Sequence, residues 1–248
     1  MHNPEHPQPK FSIITVTYNA GQVLEKTIQS VISQTYRQIE YIVVDGGSKD
    51  NTLEIVNKYQ EHISRVISEP DKGLYDAMNK GIKLATGDVI GLINAGDTYE
   101  EGAVPTAVRK FAETNCDLLF GDLQIVTTKG RKMTKKAKQR TFYQTSRDWN
   151  HPTMFVKTKW YRKYPFAGKG IHDDYAFYLK MRKQKRKIAV INQRMATFQM
   201  GGASNERNWK SVKRRIRDRY LYCYRENGYG RWYLAECVMT EVAKWLLG

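Results

Sequence analysis

Y-I-V-V-D-G-G-S-K-D-N-T (Tyr41 to Thr52), D-K-G-L-Y-D-A-M-N-K-G (Asp71 to Gly81) and G-D-V-I-G-L-I-N-A-G-D (Gly87 to Asp97) succeed one another in the first half of the chain and decide its fold. The first and third are short apolar runs, rich in Val and Ile, that stop at an acid beside glycine. Runs of this length and composition, bounded by turn residues, read as buried strands. The acids then sit just past the strand ends, which in open α/β sheets is the edge where ligands bind. Carboxylates placed there repeatedly point to a metal ion and a polar ligand.

Outward from this stretch the pattern repeats. F-S-I-I-T-V-T-Y-N (Phe11 to Asn19) reads as a further buried strand, and Val23 to Thr35 places apolar residues at helical spacing. Ile39 to Val44 is a second strand, and Ser48 to Thr52 caps a helix that runs to about Tyr59. Ile63 to Ser68, Val89 to Ile93 and Asp117 to Val126 are strands; Leu74 to Ala85 and Pro105 to Thr114 are helices. This alternation predicts an α/β fold, a mainly parallel, Rossmann-like sheet with helices on both faces. Lys129 to Arg140 lacks apolar periodicity and is expected to be a mobile loop or exposed hairpin. Met154 to Val156 reads as a strand and His172 to Lys187 as a helix. Arg207 to Tyr224 sets Trp209, Val212, Ile216 and Tyr220 opposite Lys213, Arg214, Arg217 and Arg219. Trp232 to Leu247 gathers Val238, Val242 and Trp245 on one face. Both read as amphipathic C-terminal helices that either pack on the domain or touch a membrane surface.

The 248 residues are 41% hydrophobic, enough for a packed core, and no apolar run approaches the length of a spanning helix. The polar start, Met1 to Lys10, has no signal-peptide pattern, so a cytoplasmic location is expected. Cys116, Cys223 and Cys237 form neither a metal pair nor an even disulfide framework. The formal charge of +16 is unevenly divided. Residues 1–125 carry 11 Lys+Arg against 17 Asp+Glu, whereas residues 126–248 carry 30 against 8. So basic a second half concentrates anionic partners: phosphates, acidic membrane or nucleic acid.

The motifs resemble those of the family 2 inverting glycosyltransferases, enzymes of the GT-A fold. S-I-I-T-V-T-Y-N-A-G, S-V-I-S-Q-T-Y, V-V-D-G-G-S-K-D-N-T, A-T-G-D, L-I-N-A-G-D, H-P-T-M-F (His151 to Phe155), D-D-Y (Asp173 to Tyr175) and G-G-A-S (Gly201 to Ser204) stand in family order over residues 11–204. The resemblance implies a flexible start (1–10), a glycosyltransferase domain (11–204) and basic C-terminal helices (205–248). Within the domain, 11–126 would be the nucleotide-sugar half and 127–204 the acceptor half. It implies that Asp97 holds Mn2+ or Mg2+ against the donor diphosphate, as the remaining acid of an Asp-x-Asp motif whose other positions are here Asn94 and Gly96. Thr17, Tyr18, Asn19, Asp45, Asp71, Gly73, Asn79, Asn94, Ala95 and Gly96 would line the donor site. Asp45 would meet the nucleobase, and its usual acidic neighbour is here Gly46.

Asp174 matches the family's general base, with Asp173 the second candidate; His151, His172, Gly201 and Gly202 would lie on the acceptor side. Helix capping is an alternative for Asp45, Asp97, Asp173 and Asp174, and a structural role for Asn79. A UDP-sugar is the favoured donor and a GDP-sugar the next. The acceptor would be a hydroxyl of a glycan or polyprenyl-diphosphate-linked glycan, as in polysaccharide assembly, reached peripherally at an anionic inner membrane face. Three rivals remain: a non-catalytic family member, a basic nucleic-acid- or membrane-binding protein, and a nucleotidyltransferase. Y-N-A-G-Q-V-L lacks the phosphate loop expected of the last. The strand-end acids are left unexplained by nucleic-acid binding, so no nucleic-acid partner is expected.

Overall fold

The computed structural model describes residues 8–200 and 208–247, with side chains through residue 243. Strands β1 (Phe11–Thr17), β2 (Ile39–Asp45), β3 (Arg65–Ser68) and β4 (Val89–Asn94) form a parallel half-sheet in the order β3-β2-β1-β4. Every residue of β1 is buried, as expected of a strand with neighbours on both sides and helices on both faces. One layer holds α1 (Leu24–Ile32), α2 (Thr52–Lys58) and α4 (Ala103–Thr114), which seal Leu24, Ile28, Val56 and Phe111 against the sheet. On the other face lies α3 (Leu74–Leu84), whose Gly81 is required by close approach. A Cβ there would stand 2.5 Å from Ile14 Cγ2 and 3.2 Å from Val44 Cγ2.

Beyond β4 the sheet becomes mixed. Its order continues through β8 (Phe155–Lys157), β6 (Leu118–Val126), β9 (Ile188–Gln199) and the short β5 (Thr98–Tyr99). β8 is antiparallel to β4 and β6, while β9 is parallel to β6. The register of β6 and β9 shifts between Gly121 and Leu123, the local bend of a β-bulge. At that bend Gly121 donates to Thr153 Oγ1 (3.0 Å) and accepts from Asn150 Nδ2 (2.8 Å). The 3-10 turn His151–Thr153 is thereby fastened beside β4 and β6. The basic stretch expected to be a loop or hairpin is a hairpin: β7 (Lys132–Lys135) pairs with β6.

Helices α5 (Thr158–Lys163) and α6 (Asp173–Lys183) join α3 on its face of the sheet. At the C-terminus, α7 (Trp209–Asp218) runs into a π-helical segment, Arg219–Arg225, and then α8 (Tyr233–Leu247). Cys223, Tyr224, Tyr233 and Cys237 belong to the same buried cluster as Tyr175 and Phe177 of α6. The wheel expected for this region differs in three places. Trp209 is largely exposed, Arg219 is buried with its guanidinium on Glu241 (3.0 Å), and Val238 and Val242 face outward. Trp245 lies outside the described side chains.

At the opposite end of the sheet from the strand-end acids, Glu40 is buried under Ser12 Oγ (2.5 Å), Thr86 N (2.8 Å), Thr86 Oγ1 (2.7 Å) and Lys10 Nζ (3.4 Å). Burial raises its pKa, but these donors outweigh it and hold the carboxyl down at about 2 against an ordinary 4.5. A depressed acid stabilises the fold above its unfolded pKa and loses that contribution as pH falls through the folded one. We therefore expect about 3 kcal/mol of stability to disappear between about pH 5 and pH 2. Urea titrations across that range should show a shallower acid limb for Glu40→Gln; an unchanged limb would refute this role.

Candidate active site

Thr17, Asp45 and Asn94 end β1, β2 and β4, so the parallel strands deliver three polar side chains to one edge. Among the described residues, Thr17 Oγ1 and Asn94 Oδ1 are buried there without a protein hydrogen-bond partner. Buried polar atoms almost always find partners, so two orphans at a sheet edge mark a ligand position. Asp45 differs from them. Its fully buried carboxylate accepts from Gly47 N (3.1 Å), Ser48 N (3.0 Å), Ser68 Oγ (2.7 Å) and Ser48 Oγ, so its acceptor capacity is taken up by its own loop and the end of β3. Asn19 (φ +46°) is likewise tied to that loop, accepting from Lys49 N and donating its N–H to Ser48 Oγ, both at 2.8 Å.

Beside exposed Tyr18 lies the half-buried Asp71, whose Oδ1 accepts from Gly73 N (2.7 Å). A Cβ on Gly46 would stand 2.4 Å from Asp71 Oδ2 and 3.3 Å from Tyr18 Cδ2. Asp71 therefore fills the position that an acid at residue 46 would take, and glycine is what leaves it room. Gly73 (φ +112°) turns the chain from Asp71 into α3. Asn79 does not reach this cleft through a free amide: Nδ2 donates to Phe166 O (2.9 Å) and Oδ1 accepts from Phe166 N (3.1 Å).

After Asn94 the chain turns sharply through Ala95 and Gly96 (φ +96°), with Gly96 N held by Thr27 Oγ1 (2.9 Å). The turn places Asp97 almost wholly inside, 4% exposed, where among the described residues its carboxylate accepts only a long bond from Gln199 N (3.3 Å). Burial pushes its carboxyl up to about 7, partly offset by the Gln199 amide and by His151. A buried carboxylate so thinly solvated is stabilised in its charged form by a cation. Among the described residues no cluster of three His, Cys, Asp or Glu side chains is assembled. The donor set is Asp97 with the orphaned Asn94 oxygen. It fits a hard oxygen-seeking ion that draws its other ligands from water and a diphosphate, as Mg2+ and Mn2+ do.

Asp174 lies in the first turn of α6, 16% exposed, with its carboxylate braced from two sides. Oδ1 accepts from Tyr75 OH (3.0 Å) and Tyr175 N (2.8 Å), and Oδ2 lies 3.1 Å from His151 Nδ1. That contact is misaligned for a hydrogen bond, and among the described residues neither ring nitrogen of the half-buried His151 has another partner. His151 thus touches Asp174 and acts electrostatically on Asp97. Asp173 points elsewhere. It accepts from Lys169 N (3.2 Å) and Gly170 N (3.1 Å), and it lines a separate cavity of about 110 Å³ with Phe166, Phe177 and Tyr222. His172 meets Arg219 Nη2 through Nε2 (3.0 Å), on the side of the C-terminal helices. Gly201 and Gly202 lie outside the described residues. Tyr75 was not singled out in the sequence: it sits in D-K-G-L-Y-D, and its partner is 99 residues away.

The turn after β4 thus carries a buried acid, Asp97, and the first turn of α6 carries a second, Asp174. A family model described as Glycosyl transferase family 2 matches residues 12–168. The chain belongs to that family. A PGL/p-HBAD biosynthesis glycosyltransferase of Mycobacterium bovis (strain BCG / Pasteur 1173P2) is 36% identical over 128 residues, 50% of each chain. Glycosyltransferase GlyG of Streptococcus pneumoniae serotype 4 is 32% identical over 114 residues, 45% of this chain and 38% of its own. The chain spans about half the length, or less, of these curated relatives. In structure it is similar to the mannosyltransferase PcManGT of Pyrobaculum calidifontis, solved with GDP-Man and Mn2+, with a TM-score of 0.66 at 16% identity over 98% of this chain and 76% of that one. S. aureus TarS 1-349, solved with UDP-GlcNAc, gives 0.62 at 20% identity over 82% and 64%. These likenesses support the GT-A fold read from the strand order.

Proposed function

We propose that the chain transfers a sugar, with inversion, from a nucleoside-diphosphate sugar to a hydroxyl of a glycan or lipid-linked glycan. The observation that carries this reading is the hydrogen bond of Asp174 to Tyr75 and its contact with His151, together with the burial of Asp97. The donor's base and ribose would occupy the edge between Tyr18, Asp71 and Thr17, and its diphosphate the turn Asn94–Asp97. UDP-sugars come first among donors and GDP-sugars second, in keeping with the ligands of TarS and PcManGT. A divalent cation held by Asp97 and Asn94 supplies positive charge against the departing diphosphate.

Asp174 takes the proton from the acceptor hydroxyl as that oxygen attacks the anomeric carbon. The bond from that carbon to the diphosphate oxygen breaks on the opposite face, and the nucleoside diphosphate leaves with the electron pair. Tyr75 OH fixes one oxygen of Asp174, which leaves the oxygen beside His151 to receive the proton. An acceptor carried on a polyprenyl diphosphate at an anionic membrane face belongs to the same reading.

Thermal-shift titration with UDP-, GDP-, dTDP- and CMP-sugars, each with Mn2+, Mg2+ or EDTA, tests the donor half. One nucleotide should raise the unfolding midpoint, by the equivalent of about 2.7 kcal/mol at a hundredfold excess over its Kd. EDTA or Asp97→Ala should remove most of that shift. Shifts with no donor, or a full shift in Asp97→Ala, would count against the reading.

A further inference from the structure

Over residues 233–243, helix α8 turns Glu236, Thr240 and Glu241 toward the protein beside Tyr233 and Cys237, and sets large apolar residues outward. Tyr233, Glu236, Cys237, Thr240 and Glu241 are buried, whereas Leu234, Val238, Met239 (63% exposed) and Val242 (52%) are not. The inward polarity has partners. Glu236 accepts from Tyr224 OH (2.9 Å), Thr145 Oγ1 (2.6 Å) and Thr240 Oγ1 (3.0 Å), and Glu241 binds Arg215 (2.7 Å) and Arg219 (3.0 Å). Nothing in the packing of the described residues requires the outward face to be apolar. An exposed apolar strip rimmed by polar residues marks an interaction surface.

We propose that this face of α8, with the basic outer face of α7, seats the chain on an anionic lipid bilayer. Charge selects this occupant. Lys210, Lys213 and Arg214 of α7, the helix paired with α8 through Arg215 and Glu241, and Arg231 before α8 are exposed, and no acidic side chain among the described residues forms an ion pair with them. A two-fold pairing with a second copy would set these like charges against one another, whereas acidic headgroups complement them. Trp209 and Trp232, both largely exposed, provide the amphipathic rings suited to headgroup depth. No helix of the described residues is long and apolar enough to cross a membrane, so α8 would lie in the interface plane. Glu241 joins this helix through Arg219 to His172, two residues before Asp174. A lipid-borne acceptor would therefore be presented beside the acceptor base, a corollary that rests on the proposed glycosyl transfer.

The test is flotation of the whole chain with vesicles of phosphatidylcholine alone or mixed with phosphatidylglycerol, with Trp fluorescence read in parallel. Binding should require phosphatidylglycerol and weaken with salt, and the fluorescence should shift to the blue. Val238→Asp with Met239→Asp should weaken it roughly tenfold or more, and Lys213→Glu with Arg214→Glu should abolish the preference for anionic vesicles. Both variants should keep the wild-type unfolding midpoint and any nucleotide-sugar shift, which separates docking from donor binding. Absent vesicle binding, salt-insensitive binding, or undiminished binding by the Asp variant would overturn the proposal. So would a dimer in light scattering that the Asp variant dissolves.

Discussion

Asp174→Asn is expected to lower the rate of sugar transfer about 10²- to 10⁴-fold, the range that a positioned general base contributes. In free energy this is about 3–5 kcal/mol of transition-state stabilisation. The amide keeps the shape of the carboxylate and can still meet Tyr75 and His151, so the fold and the donor site should survive. It cannot take a proton from the acceptor. Donor-induced thermal shifts should thus match those of the unaltered chain while turnover collapses. Asp173→Asn is the control, because its carboxylate is held by Lys169 N and Gly170 N rather than facing His151. That variant should lose stability more than turnover. The assignment fails if Asp174→Asn transfers sugar normally, or if Asp173→Asn alone abolishes transfer with its stability intact.

The second large effect concerns Glu241. Its carboxylate is 2% exposed and is shared by Arg215 (6%) and Arg219 (2%). Removing the shared acid from two buried guanidinium groups leaves positive charge in a poorly solvated interior. Breaking a buried pair in this way destabilises by about 3–5 kcal/mol. Glu241→Ala should show that loss in urea unfolding, and α7 should become more open to proteolysis. Replacing all three by apolar residues of similar volume removes the charges together and is expected to be near neutral. If Glu241→Ala unfolds at the wild-type urea midpoint, the pair adds little to the fold.

The sheet was legible because β1, β2 and β4 are apolar runs closed by turn residues, a pattern that burial on both faces imposes. The acids at their ends were visible for the same reason. What each acid does was less visible. Asp45 and Asp71 differ in sequence only by context, yet one is enclosed by Ser48 and Ser68 and the other lies over Gly46. The bond from Ser48 was a local signal, three residues on; the one from Ser68 was not. In α8 periodicity was misleading, since an apolar stripe ordinarily turns inward. There the inward face is set by Arg215 and Arg219, whose distance in sequence from Glu241 hides the pairing.

Asn79 clamps both backbone groups of Phe166, and Tyr75 from the same helix reaches Asp174. The two charge-defined halves of the chain are therefore interlocked, and the boundary suggested by composition near residue 126 is not a mechanical one. A recombinant chimera joined there would separate α3 from the loop and the acid it registers. A donor half exchanged between relatives would have to bring its own partner for the Phe166 backbone. An exchange that keeps these contacts has to carry α3 together with residues 164–174.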